Sequence, residues 1–172
     1  MSEFLKLAQA RYSVRSFKDQ PIEEEKLQAI LQAGRLAPTA CNNQPQKVYV
    51  AKSPESREKL ASVCPFTFNA PVVLVVCYDR DRDWKNKKMP GYHSGDTDCA
   101  IVGTHMILEA WELGIGSCWV GWYNADEVAA ALGLPENVCV SALLPIGYAA
   151  DDAVPAPLHT SYRDYSDTIA EL

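Results

Sequence analysis

Seven consecutive apolar residues, Val72-Val-Leu-Val-Val-Cys-Tyr78, constrain this chain more than any other stretch. The run has the length of a strand and no alternation, so neither face is suited to water. It reads as a central strand covered on both sides. Such a sheet needs helices, and the flanking sequence supplies them. Pro21-Ile-Glu-Glu-Glu-Lys opens one, with a proline in its first turn and glutamates at the positive end of the helix dipole. Leu27, Ile30, Leu31 and Leu36 follow at helical spacing, and Pro38 stops the run.

The same reasoning places the remaining elements. Lys47–Lys52 reads as a short strand, and Ser53-Pro-Glu caps a second helix that runs to about Val63. Asp98 caps a third, to about Leu113, apolar nearly all round and so suited to a core or a subunit interface. Ser117–Trp122 and Val138–Gly147 are further strands. Between them, Asn124 with Glu127 forms a capping box, and Gly133 closes that short helix. The charged stretch from Asp79 to Gly95 is the longest irregular segment, of a length that usually carries function. The tail from Thr160 to Leu172 is too polar to form a core alone and must lie over something else. No repeat or linker divides residues 1–172, which reads as one α+β domain of about four strands and five helices.

Charge and cysteine usage exclude several classes. A net charge of −6 leaves no broad basic face, so a nucleic-acid partner is not expected. No segment reaches the roughly 20 apolar residues of a membrane span, and the first residues do not lead from a basic stretch into an apolar one. The six cysteines are scattered, several within apolar runs, which suits packed thiols and a cytoplasmic location. No metal site is expected. His93, His105 and His159 lack ligand spacing; His105 shares a helical face with Glu109 and Glu112 and reads as exposed and paired. Asp79, Asp81 and Asp83 lack the glycine and glutamate of a calcium loop, and Gly114-x-Gly116 lacks the third glycine of a dinucleotide fingerprint.

Against that acidic background, Arg11-Tyr-Ser-Val-Arg15 concentrates two guanidinium groups and a hydroxyl. In an extended segment Arg11, Ser13 and Arg15 point the same way and could face one phosphate, though a solvated arginine pair has the same sequence. Pro38-Thr-Ala-Cys-Asn-Asn-Gln-Pro45 is either a ligand loop of small hydrogen-bonding residues or an ordinary polar turn. Gly116-Ser-Cys-Trp-Val-Gly121 reads as a buried strand with a glycine bulge or as a segment passing a ligand.

In this order the three motifs, with Arg163 downstream, resemble the FMN-dependent nitroreductase family over almost the whole chain. The resemblance implies a three-layer α-β-α sandwich around a mostly antiparallel sheet, in an obligate homodimer with flavin at the interface. It implies that Arg11, Tyr12, Ser13 and Arg15 hold the flavin phosphate, ribityl chain and pyrimidine edge, with Arg15 near N1 and O2. It assigns Pro38, Thr39, Ala40, Asn42 and Gln44 to a loop from the partner subunit, and a backbone N–H toward flavin N5 to Val120 or Gly121. Arg163 matches a terminal phosphate-binding arginine. Gln46 departs from the family's usual tryptophan and Tyr12 from a basic residue.

The implied activity is ping-pong hydride transfer from NADH or NADPH through FMN to a nitroaromatic, quinone or related small acceptor, with no acid or base side chain. Rival readings are a flavoenzyme of the same fold with other chemistry (enone reduction, dehalogenation, flavin fragmentation) and a non-catalytic flavin-binding dimer. Cys41, within the second motif, reads as a packed thiol or a redox-sensitive one.

Overall fold

In a computed structural model describing all 172 residues, four strands form a single antiparallel sheet. They are β1 (Gln46–Ala51), β2 (Val72–Asp79), β3 (Gly116–Ser117) and β4 (Val138–Gly147), in the order β1-β2-β4-β3. Six helices accompany them, one more than the sequence predicts: α1 (Glu3–Ala10), α2 (Glu24–Leu36), α3 (Pro54–Val63), α4 (Gly95–Glu112), α5 (Ala125–Leu132) and the short α6 (Tyr165–Thr168).

β2 is the middle of a three-layer arrangement, and its period of two sorts its side chains. Val72, Leu74, Val76 and Tyr78 enter a core shared with α2 and α4, through Leu27, Ile30, Cys99, Val102 and Met106. Val73, Val75 and Cys77 enter a second core with Leu60 of α3 and Val128 of α5. Each large apolar side chain so enclosed contributes about 1.5–3 kcal/mol relative to exposure. The continuous apolar run is therefore two interleaved half-patterns, one for each helical layer.

β4 repeats this with a break in phase. Val76 pairs with Ala142 but Cys77 pairs with Val140, so Ser141 is an extra residue in a β-bulge. Before it, Val138 and Val140 face the α3–α5 layer; after it, Ala142, Leu144 and Ile146 face the α2–α4 layer.

Capping follows the sequence at α3 and α5. Ser53 Oγ accepts from Ser56 N at 3.1 Å, and Asn124 Oδ1 accepts from Asp126 N at 3.0 Å and Glu127 N at 3.3 Å. Gly133 terminates α5 at φ +65°. Four expectations need correction. α2 starts at Glu24, so Pro21 precedes the helix rather than entering its first turn. α4 starts at Gly95, which puts Asp98 inside the helix and buries it. The strand expected over 117–122 is regular only at Gly116–Ser117, and an isolated bridge joins Val120 to Leu143. His105 is exposed as expected, but its Nδ1 lies 2.9 Å from the Ile101 carbonyl and it forms no ion pair with Glu109 or Glu112.

The irregular 80–94 segment is pinned by a 2.8 Å contact between His93 Nδ1 and the carboxylate of the buried Asp83. The last residues leave the core: Leu158, Tyr162 and Tyr165 are each more than three-quarters exposed. No helix is long and apolar enough to cross a membrane.

Candidate active site

The chain leaves α1 at Arg11 and runs extended along the sheet edge. Val14 N–H donates to Ser117 O at 2.9 Å, Lys18 N–H to Tyr148 O at 2.9 Å, and Ala150 N–H to Ser16 O at 3.0 Å. Gly116 makes this seam possible, because a Cβ there would lie 2.7 Å from Val14 Cγ2. With Val14 buried beneath the seam, alternation turns its neighbours outward. Arg11, Ser13 and Arg15 gather around the Cys118 thiol. Burial pushes that thiol's pKa up, while the Arg15 charge, a hydrogen bond with Ser13 and the Arg11 charge pull it back. Neither arginine forms an ion pair with a carboxylate, and Arg15 Nη1 reaches only the Ser13 carbonyl, at 3.3 Å.

Tyr12, the fourth candidate of this segment, points elsewhere. Its ring meets Trp111 edge-on at 5.1 Å and His159 at 6.2 Å, and its hydroxyl donates to Ala153 O at 3.3 Å. It ties the tail to α4.

The 118–121 segment turns alternate amides in opposite directions. Cys118 N–H donates to Pro145 O at 3.1 Å, and Val120 and Leu143 exchange N–H···O bonds of 2.9 and 3.2 Å. The Val120 N–H is thus committed to the sheet. The Gly121 N–H has no partner in the chain and lies on an exposed residue with open space around it. It borders a groove walled by Arg15, Phe66, Phe68, Trp119 and Trp122. The Trp119 indole lies against Gly103 of α4, where a Cβ would be only 2.4 Å from the ring.

The 38–45 loop lies at the other end of α4. Asp98 Oδ1 accepts the Ala40 N–H at 2.9 Å, and its Oδ2 accepts the Ser94 hydroxyl at 2.7 Å. Thr39 Oγ1 accepts the Gln44 N–H at 3.0 Å. Cys41, Asn42 and Gln44 all adopt left-handed backbone (φ 52°, 54° and 49°), uncommon for side-chain-bearing residues and held by these bonds. Pro38, Asn42 and Gln44 are exposed, while Thr39 and Ala40 are half-buried. Trp111, beside Tyr12, is 13 residues along α4 from Asp98, a rise of about 20 Å. Within one chain, no hydrogen bond or ion pair joins the arginine cluster to this loop. Arg163 is also apart, exposed on the tail with its guanidinium 3.8 Å from Asp167.

The sheet order, the seam and the loop belong to a described architecture: the model of the nitroreductase family matches residues 8–65 and 63–148. The chain belongs to the nitroreductase family. An Archaeoglobus fulgidus protein described as an NADH dehydrogenase/NAD(P)H nitroreductase is 37% identical over 161 residues, covering 88% of each chain. A nitroreductase family protein from Clostridium difficile 630 has the same fold at a TM-score of 0.91, with 34% identity and 98% of both chains covered. A Desulfovibrio desulfuricans nitroreductase in complex with FMN aligns at a TM-score of 0.83 and 25% identity, over 100% of this chain and 98% of its own.

The matched region ends at 148, so Arg163 lies beyond it. Motif reading missed the aromatic wall supplied by Pro65-Phe-Thr-Phe-Asn-Ala-Pro71. Two phenylalanines in a proline-bounded turn, where core residues are not expected, were the available signal. It also missed the role of Asp98, whose sequence signature is that of any helix cap.

Proposed function

We propose that this nitroreductase is an FMN-dependent NAD(P)H oxidoreductase acting on nitroaromatics, quinones or related small acceptors. The observation that carries the reading is the unpaired cation cluster beside a groove whose wall presents the free Gly121 N–H. Such a donor set suits FMN. Unpaired guanidinium groups and a hydroxyl match its phosphate and pyrimidine oxygens, aromatic and apolar walls match its ring system, and an amide donor matches a ring nitrogen.

Arg11 and Ser13 would hold the phosphate end, Arg15 the pyrimidine edge and Gly121 the ring nitrogen; Val120 would contribute packing. FMN, when bound, supplies the two-electron carrier between NAD(P)H and the acceptor. The chain's part is to orient it, keep a positive charge beside it and screen one face from water. Arg15 performs the second task, since a cation favours whichever redox form carries more negative charge.

A homodimer completes the site in this reading. The loop of Pro38, Thr39, Ala40, Asn42 and Gln44 is tied to Asp98 in the first turn of α4, and no hydrogen bond or ion pair joins it to Arg11, Ser13 or Arg15. A second copy running antiparallel along α4 would bring its loop to the first copy's cluster. The exposed tail with Arg163 would then lie across that copy, and Tyr12 would anchor the tail's root.

The visible spectrum of the purified protein, followed by anaerobic addition of NADH and then NADPH, tests the proposal. Flavin bands that bleach support it, and bands that persist with both coenzymes leave only a flavin-binding protein. A colourless protein that takes up no added FMN would refute it.

A further inference from the structure

A second polar recess lies behind the aromatic wall, between α3 and residues 65–70. Phe68 and Asn69 are both left-handed (φ 53°), and the segment divides its side chains between two sides. Phe66 and Phe68 line the groove beside Arg15, whereas Thr67 and Asn69 line the recess. Arg57 of α3 enters the recess half-buried. It has no carboxylate within ion-pair distance, and its Nε is fully enclosed without an acceptor. Thr67 is 6% exposed, and the bond formed here is a main-chain one, from Ala70 N–H to Thr67 O at 3.0 Å, which leaves the hydroxyl available. Ala61, Ala70 and Val73 are apolar lining; Glu58 is exposed at the rim and does not pair with Arg57. The Arg57 guanidinium lines the recess with no hydrogen bond or carboxylate partner in the chain, and such a group is suited to an anion there.

We infer that this recess binds a phosphate group, with Arg57 as its cation and Thr67 and Asn69 as neutral partners. Two sources share that chemistry: free phosphate, and the 2′-phosphate that distinguishes NADPH from NADH. The recess and the groove lie on the two sides of one wall, residues 66–69, which sets the recess next to the groove in which a coenzyme would stack. This part rests on the oxidoreductase reading above.

The test uses the FMN-loaded protein, so that the flavin's own phosphate occupies the arginine cluster. Inorganic phosphate is titrated by calorimetry into wild type, Arg57→Gln and Thr67→Val, and kcat/KM is measured for NADPH and NADH. We expect phosphate affinity and kcat/KM for NADPH each to fall roughly tenfold or more in Arg57→Gln. We also expect unchanged NADH values and phosphate competition against NADPH alone. Arg57-dependent phosphate binding with an unchanged NADPH-to-NADH ratio supports the anion site and assigns it free phosphate. Equal phosphate affinity in all three proteins overturns the site. Arg57-dependent phosphate binding in a protein that takes up no FMN would support the recess while refuting the oxidoreductase reading.

Discussion

The Asp98 carboxylate, buried in the first turn of α4, accepts the Ala40 N–H at 2.9 Å and so holds the 38–45 loop in its left-handed course. The other oxygen takes the Ser94 hydroxyl, which itself accepts Trp84 N–H at 3.1 Å. One side chain therefore fixes two loops. Asp98→Ala should destabilise the fold by about 2–4 kcal/mol, with Asp98→Asn milder, because a buried hydrogen-bonded charge and its partners lose each other. Denaturant unfolding with FMN retention measured alongside checks this; unchanged retention in a folded Asp98→Asn protein would deny the loop a role in binding.

Gly121 separates an amide from a side-chain effect. Open space surrounds it, so Gly121→Ala should lie within about 0.5 kcal/mol of wild type in stability. Gly121→Pro removes the N–H and should weaken FMN binding by about tenfold, the worth of one hydrogen bond to a ligand. Fluorescence titration of FMN into the apoprotein reads both.

Arg15 and Arg11 should differ in kind. In the proposed site, a cation about 4 Å from the ring would be worth roughly 4 kcal/mol at an effective dielectric near 20, and only part of that would differ between the redox forms. Arg15→Ala should therefore lower the flavin potential by roughly 20–40 mV. Arg11→Ala and Arg163→Ala should weaken retention and leave the potential nearly unmoved. Spectroelectrochemistry distinguishes the cases.

Alkaline pH should unfold the protein early. Burial pushes the Cys77 pKa up to about 12 and raises those of Cys99, Tyr78 and Tyr123 as well. Above the unfolded thiol value near 8.5–9, the unfolded chain releases protons that the folded chain retains, so stability falls as pH rises. For Cys77 alone the slope is about 1.4 kcal/mol per pH unit until its folded value is reached. Urea midpoints from pH 7 to 11 should be flat at first and then decline. Cys77→Ala should soften the decline while costing about 1–2 kcal/mol at neutral pH through the space it leaves.

The proposed two-chain site predicts complementation. A variant lacking Arg11 and Arg15 mixed with one lacking Asn42 and Gln44, unfolded and refolded together, should recover FMN binding at one site in each mixed dimer. Sedimentation of each variant should still give dimers. A monomer holding full FMN would contradict the arrangement.

Much of this was legible in local pattern. The apolar run at 72–78, Ser53 and Asn124 as caps, and Gly133 as a stop act through nearest neighbours, and the sequence displays neighbours. The ordered motifs sufficed to indicate the family. What stayed hidden depends on distant partners. The Asp98 pattern is equally that of a cap, and only the folded loop beside it makes it a tether. Val120 and Gly121 are indistinguishable until the pairing with Leu143 commits one amide. Tyr12 follows the alternation of its segment, yet Trp111 and the tail claim its ring.

The extra residue at Ser141 acts on the sheet as a single inserted letter acts on a reading frame. Downstream of it every side chain changes sides, and the exchange between Leu143 and Val120 follows from the shifted frame. Deleting Ser141 would not open a hole so much as garble the strand from that point, sending the apolar set beyond it to the wrong layer. The phase of the sheet rests on one residue.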